Sequence, residues 1–398
     1  RRPAGSTRRL VLSCSCRRGL EEPRIKRIAI LFEYATLNGG ENSMLAAAEV
    51  LRGGDFEFVF LAPTHGRLAE VLRANGYQHL PLELHNATGE RTPQDQARAL
   101  VAGAVTACSP DLLHANSLSM GRLTGAISRD VVIPCVAHLR DIVGLSRAAV
   151  DDLSGNRLLL AVSRATRDFH VGQGLDADRV RVLYNGVDCR RFHPRPRTGA
   201  LMTELGLPDS AFLIANIGQI GLRKGQDVLA EAACLLAAQL PESHYLLIGE
   251  RNSQKPESVE FEARVIERFH AGGLGDRLRS LGYRDDVPRL LNEIDLLVHC
   301  AHQEPLGRVL LEAAASGTPI VATDVGGTRE ILADGQSARL VPAGNVRALA
   351  DALAELHDNP GKRQSFATVA RQRVSVDFSI EHAAQNLAGV WQEVISSQ

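Results

Sequence analysis

The stretch HCAHQEPLGRVLLEAAASGTPIVATDVGGTREIL, from His299 to Leu332, sets the reading of the whole chain. It follows on the apolar run IDLLVHC, a buried strand by its length and branched composition. Pro305 suits a loop or a first helical turn, because it lacks an N–H and fixes φ. A helix is therefore expected from Leu306 or Gly307 to Ser316, stopped by Gly317 and Pro319. Glu304 then stands at the helix entrance, and Glu312 lies one to two turns inside. A helix entrance exposes free N–H groups and the positive end of the dipole, which suits a phosphate. Gly307 lets a ligand approach the backbone closely. Two carboxylates flanking such a site can grip hydroxyls on either side of a diphosphate. The same spacing also arises when one Glu caps a helix and the other lies on its solvated face. The surroundings decide between the two.

Outward from this stretch, short apolar runs alternate with helical spacing. RIAILF (27–32) is a strand, ENSMLAAAEVLRG a helix, FEFVFLA (56–62) a strand, and GRLAEVLRANG a helix. HLPLEL, DLLHAN, VVIPCVAHL and RLLLAVS (157–163) continue the strands, with helices near 94–107 and 119–128 between them. The alternation stops in NGVDCRRFHPRPRTG and restarts with FLIANIG (212–218) and HYLLIG (244–249). This implies βαβ units and parallel sheets covered on both faces. Residues 1–24 read as a disordered, Arg-rich tail, 25–192 as one α/β domain, 193–207 as a linker and 208–375 as a second domain. Residues 376–398 read as a helix packing back toward the first domain. Open parallel sheets bind ligands beyond the carboxyl ends of their strands, so two such domains would enclose a cleft.

A chain of 398 residues is too long for one core, so two domains are the default. A formal net charge of -1 argues against general nucleic-acid binding. No apolar run approaches the ~18–20 residues that span a bilayer, which leaves a peripheral membrane contact open. Seven scattered cysteines point to a reducing, cytoplasmic setting, with the inner membrane surface as an alternative. The arginines from Arg1 to Arg18 precede any acidic residue, which fits a solvated tail or a transit peptide.

The stretch EPLGRVLLEAAASGTPIVATDVGGTREIL resembles the signature of the retaining GT-B glycosyltransferases of family 4. NGVDCRRFHP (185–194), IGQIGLRKGQDVL (217–229), LLIGE (246–250), LGYRDDVPRLL (281–291) and LNGGENSML near the N-terminus are similar to that family in the same order. The resemblance implies a GT-B fold: two Rossmann-like, doubly wound α/β domains facing across a cleft. It also implies transfer of a sugar from a nucleoside-diphosphate sugar to an acceptor hydroxyl, in polysaccharide, glycolipid or glycoconjugate synthesis.

Carried over residue by residue, Glu312 matches the family carboxylate on the ribose and Glu304 the one near the donor sugar. Backbone N–H groups of Leu306 and Gly307 would meet the sugar or the diphosphate. Lys224 matches the lysine that neutralises the diphosphate. Gln219 stands where many members carry Arg, and Arg223 is a candidate for the missing charge or an ordinary turn residue. Gly39 and Gly40 match the glycine loop of the first domain, and Tyr283 and Arg284 the loop beside the base. His138 matches a histidine near the transferred sugar, with His114 as a second candidate and Arg140 and Asp141 toward the acceptor. The expected catalytic set is Lys224, Glu304 and His138. No cofactor and no metal are expected, because cationic side chains and dipoles can do that work. The resemblance implies front-face substitution, in which a phosphate oxygen of the leaving group takes the acceptor proton. Two alternatives stay open: a non-catalytic nucleotide-sugar-binding protein and a GT-B-type nucleotide-sugar epimerase. A dehydrogenase is disfavoured, since no G-x-G-x-x-G follows the first strand.

Overall fold

The computed structural model describes residues 24–86 and 89–397. The tail at 1–24 therefore lies, except for Arg24, outside the described residues. The first sheet has seven parallel strands: β1 (Lys26–Leu31), β2 (Phe56–Ala62), β3 (Gln78–Pro81), β4 (Leu112–Ala115), β5 (Cys135–Leu139), β6 (Leu158–Ala161) and β7 (Val180–Val182). Their spatial order is β3-β2-β1-β4-β5-β6-β7. The second has six: β8 (Phe212–Ile217), β9 (Ser243–Ile248), β10 (Leu278–Gly282), β11 (Leu296–His299), β12 (Ile320–Thr323) and β13 (Arg339–Val341). Their order is β10-β9-β8-β11-β12-β13. This is the doubly wound GT-B arrangement. The order turns back between β1 and β4 in one sheet and between β8 and β11 in the other, and the crevice for a ligand opens at those points.

The apolar runs work because both faces of each sheet are covered. In β1, Ile28 and Ile30 face one core while Ala29 and Leu31 face the other. In β8, Leu213 and Ala215 face one side while Phe212 and Ile214 face the opposite one. Alternation with period two is thus present, but both faces are dry, so the strands read as continuous apolar runs.

Two boundaries differ from the sequence reading. The run VVIPCVAHL is not one strand. The helix Leu118–Val131 ends at Val132, which has φ 52°, and the strand begins only at Cys135. A β-branched residue in the left-handed region is costly, and hydropathy carries no sign of it. The linker at 193–207 is also corrected. Thr198 and Gly199 donate their backbone N–H groups to Glu293, and a helix at Ala200–Leu205 buries Leu201 and Met202 in the second domain. The crossing falls earlier, between Leu183 of the first core and Val187 of the second.

The chain crosses back between Phe378 and Ile380. The two crossings lie side by side: Val187 N–H donates to Phe378 O at 2.9 Å, and Ile380 N–H donates to Val187 O at 2.9 Å. Gly186 makes this possible, because a Cβ there would lie 2.6 Å from Ile380 Cα. The last helix, Ile380–Ser396, then buries Ile380, Ala384, Leu387, Trp391 and Val394 in the first domain's core. The domains also meet at Glu330, whose carboxylate accepts from the N–H groups of Arg164 (2.8 Å) and Ala165 (3.0 Å) at the start of a first-domain helix. Tyr184 donates its hydroxyl to the same carboxylate at 2.8 Å.

Candidate active site

At the turning point of the second sheet, the loops after β8 and β11 meet. Gly225, at φ 66°, allows the approach, since a Cβ there would lie 2.1 Å from the carbonyl oxygen of Cys300. This brings Lys224 Nζ to 2.6 Å from Glu304 Oε2. Nε2 of His299, the last residue of β11, lies 3.0 Å from the same oxygen, off the direction of an aligned hydrogen bond. Burial alone would raise the Glu304 carboxyl. Lys224 and His299 outweigh it and hold the group well below the usual carboxylate range. Glu304 is therefore a buried anion, and Lys224 keeps two further N–H donors.

The loop past Glu304 is clamped by Gly326 and Gly327. A Cβ on Gly326 would sit 1.9 Å from Glu304 O, and one on Gly327 would sit 2.5 Å from Pro305 O. The two glycines of TDVGGTREIL thus form the backrest of the Glu304 loop. Gly307, at φ 100°, turns the chain into the helix Arg308–Ser316. Leu306 is buried in the core, so only its backbone remains for a ligand. Glu312 lies one turn in, and Arg308 Nε stands 2.7 Å from its Oε1. Sequence reasoning passed over His299 and Arg308. Both lie in the stretch that opened the reading, and the i, i+4 offset of Arg308 and Glu312 was an available signal.

The first sheet supplies the opposite wall. Gly39 and Gly40 begin the helix Gly39–Leu51. No atom would crowd a Cβ on Gly39, whereas one on Gly40 would meet Arg140 Cδ at 3.0 Å. Asn116, just past β4, donates to Gly40 O at 3.1 Å and accepts from Arg140 Nη2 at 2.8 Å. Arg140 Nε donates to Asn116 O at 3.0 Å, and Nη1 donates to Asn185 Oδ1 at 2.8 Å. Burial, the largest influence, and the charge of Arg308 across the cleft lower the Arg140 guanidinium to about 10, against Glu41 and Asp141, which raise it.

His138, expected beside a sugar, makes its contacts through Nδ1. It is buried in a chain that begins on the last helix. Trp391 Nε1 donates to His114 Nδ1 at 2.9 Å, and His114 Nε2 lies 2.8 Å from His138 Nδ1. Arg140 Nη2 lies 3.3 Å from that same Nδ1. Burial and Arg140 push His114 down to about 3, and burial, Arg140 and His114 hold His138 well below its ordinary value. Both imidazoles are neutral at physiological pH.

The remaining candidates divide. Arg223 is exposed, and its Nη1 reaches 3.8 Å from Asp141 Oδ1 of the other domain. Gln219 is exposed and accepts from Gln226 Nε2 through its backbone oxygen. Tyr283 lies under Arg67 of the first domain, with the guanidinium carbon 3.9 Å from the ring centre. The Arg284 side chain joins a network: it pairs with Asp286 (2.8 Å) and Glu204 (2.6 Å). It braces the helix at Ala200–Leu205, which only the fold reveals. Among the described residues, no three His, Cys, Asp or Glu side chains are grouped as metal ligands. No described helix is long and apolar enough to cross a membrane.

Two family models match this architecture domain by domain. Glycosyltransferase Family 4 matches residues 37–191, and Glycosyl transferases group 1 matches residues 199–373. The chain belongs to the group 1 glycosyltransferases. The chain is 34% identical over 225 residues to a D-inositol 3-phosphate glycosyltransferase of Nocardioides, covering 54% of this chain and 49% of that protein. The chain thus spans about half the length of that relative. It is 28% identical over 369 residues to a phosphatidyl-myo-inositol mannosyltransferase of Mycolicibacterium smegmatis, covering 88% of this chain and 90% of the other. Among solved structures, Anabaena HepE in complex with UDP and glucose superposes with a TM-score of 0.82 at 25% identity, covering 92% of this chain and 99% of HepE.

Proposed function

We propose that this protein is a retaining glycosyltransferase that moves a sugar from a nucleoside-diphosphate sugar to an acceptor hydroxyl. The observation that carries the reading is the buried Lys224–Glu304 pair at the turning point of the second sheet, beside the open entrance of the helix Arg308–Ser316. Lys224 and the helix entrance stand where a diphosphate would need positive charge as it leaves. Glu304, kept ionised, is an acceptor for donor-sugar hydroxyls, and Glu312 one for ribose hydroxyls. The likeness to a solved protein holding UDP and glucose supports the same donor class here.

In this reading the bond between the anomeric carbon and the diphosphate oxygen breaks, and the acceptor oxygen bonds to that carbon on the same face. A phosphate oxygen of the departing diphosphate takes the acceptor proton. The chain's own part is orientation and charge: Lys224, Arg223 and the helix entrance face the diphosphate, and closure excludes water. Relatives named for an inositol 3-phosphate and a phosphatidyl-myo-inositol support a hydroxyl-rich acceptor, glycan or lipid-linked.

A thermal-shift panel with UDP, GDP, ADP and dTDP tests the donor site. A nucleotide at about 100 times its Kd should stabilise the folded chain by ~2.7 kcal/mol. One of the four is expected to shift the wild type, and Glu312→Ala should lose that shift. If none shifts the wild type, the donor reading is wrong.

A further inference from the structure

The described site leaves one buried group unused: the chain of Trp391, His114 and His138, which ends on Arg140. Its hydrogens can be assigned from donors alone. The Trp391 indole can only donate, so His114 Nδ1 accepts, and the proton of that neutral ring sits on Nε2. That N–H points at His138 Nδ1, which must also accept. Arginine has donors only, so Arg140 Nη2 requires an acceptor on that same nitrogen, and the assignment supplies one. Loss of the indole N–H would free His114 to turn its proton round. His138 Nδ1 could then carry hydrogen, and it would face Arg140 donor to donor.

Arg140 itself is placed for a ligand. It packs under Gly40, and its neighbour Asp141 faces Arg223 of the other domain. Its four hydrogen bonds run to Asn116, Asn185 and His138, all neutral, and leave one Nη1 hydrogen over. Among the described residues no carboxylate forms a salt bridge with it; burial lowers its basicity most, Glu41 and Asp141 raise it, and Arg308 lowers it. A guanidinium packed under the glycine loop, held only by neutral acceptors and with one Nη1 hydrogen over, can still take an anion.

We propose that Arg140 is the first domain's binding cation for the diphosphate-sugar donor, and that the Trp391–His114–His138 chain positions its guanidinium. The inference rests on the donor reading above and adds a second-domain-independent contact to it. Arg140 would touch the donor. Trp391 is fully buried on the far side of two imidazoles, so it acts only as a positioning residue.

The test measures donor Kd by calorimetry with UDP-glucose, GDP-mannose, ADP-glucose and dTDP-glucose. The proteins are wild type, Arg140→Lys, Trp391→Phe, their double variant and Val394→Ala. Arg140→Lys keeps the charge but loses the fork and should weaken donor binding about tenfold or more. Trp391→Phe keeps the ring packing, loses the N–H, and should weaken it about three- to tenfold. The double variant should be no worse than Arg140→Lys alone, because both act at one point. Val394→Ala, a core truncation on the same helix, should lower Tm and leave donor Kd unchanged. The proposal is overturned if Trp391→Phe binds donor like wild type, if the two substitutions add, or if Val394→Ala weakens binding equally. Binding of no donor by the wild type would instead sink the donor reading. The imidazole 15N spectrum then decides the chain: both rings as Nε2–H tautomers, disturbed in Trp391→Phe, supports it, and an Nδ1–H form of His114 in the wild type overturns it.

Discussion

The two domains place a buried titratable cluster at the same point of the same fold, and each solves burial in the opposite way. At the turning point of the second sheet, Glu304 is kept as an anion by Lys224 at 2.6 Å and His299 at 3.0 Å. At that of the first, His114 and His138 are kept neutral and hydrogen-bonded by Trp391 and Arg140. A buried charge needs a partner charge, whereas a buried neutral ring needs only a donor and an acceptor. The second domain therefore carries a site that can exchange its internal partner for a charged ligand. The first carries a rigid support whose one charge, Arg140, is directed by neutral groups.

The largest effect should come from making the second cluster resemble the first. Lys224→Met removes the cation and leaves Glu304 with His299 alone. Breaking a buried pair costs ~3–5 kcal/mol, and the loss here should be smaller, because Lys224 retains some solvent contact. Turnover with a nucleotide-sugar donor should fall about 10²–10³-fold, the scale seen when a fixed stabiliser of developing charge is lost. The double variant Lys224→Met, Glu304→Gln should recover much of the stability and none of the turnover. Denaturant unfolding and steady-state rates on the three proteins check this. A single variant as stable as wild type would show that the pair is not a coupled unit.

Acid separates the clusters next. His114 and His138 have folded values below their unfolded ones, so the unfolded chain binds more protons once pH drops below ~6.5. Their contribution is complete above that pH and drains as pH falls toward the folded values, by up to ~1.4 kcal/mol per pH unit for each ring. Glu304 is also lowered, and its contribution stays intact until pH falls below the ordinary carboxylate range near ~4.3. Between about pH 6.5 and 4.5 the first domain should thus weaken first. His170 of that domain, lowered by burial, acts in the same direction. His244 in the second domain is lowered too, but it is partly exposed and contributes less. Hydrogen exchange resolved by peptide should show β1, β4 and β5 losing protection before β8 and β11. The reverse order would break the comparison.

What could be read from the sequence follows the range of each interaction. The alternation of strands and helices, the stop at Gly317 and the turn at Gly307 are local, and local spacing carries them. The Glu304–Lys224 pair spans 80 residues, and the resemblance to a family, rather than spacing, relates the two. Trp391 and His114 are 277 residues apart, and no local pattern relates an indole on the last helix to an imidazole at the end of β4. That is why the sequence shows His138 only as a histidine at a strand end, without the imidazole and the indole behind it. The side-chain network of Arg284 is hidden from the sequence for a similar reason. Its partner Glu204 lies on a helix inside a stretch whose Pro and Arg content reads as linker. Glu330, in the opening stretch itself, turned out to cap a helix of the other domain.

The smallest expected effect sharpens the comparison from the cleft rim. Arg67 of the first domain reaches 2.8 Å to Glu250 and lies 3.9 Å over the Tyr283 ring, so one side chain ties the loops that follow β9 and β10. Arg67 and Glu250 are both about half exposed. Such a pair contributes at most ~1 kcal/mol, and an exposed cation–π contact a similar amount. Arg67→Ala should therefore leave the unfolding midpoint nearly unchanged. Its effect should appear in domain closure: without the strap, small-angle scattering of the ligand-free variant should show a larger radius of gyration. Nucleotide binding should draw wild type and variant to the same value, because the proposed donor contacts of Lys224 and Arg140 do not involve Arg67. A variant identical to wild type in both states would mean that Glu330 and the paired crossings at Val187 and Phe378 alone set the domain angle.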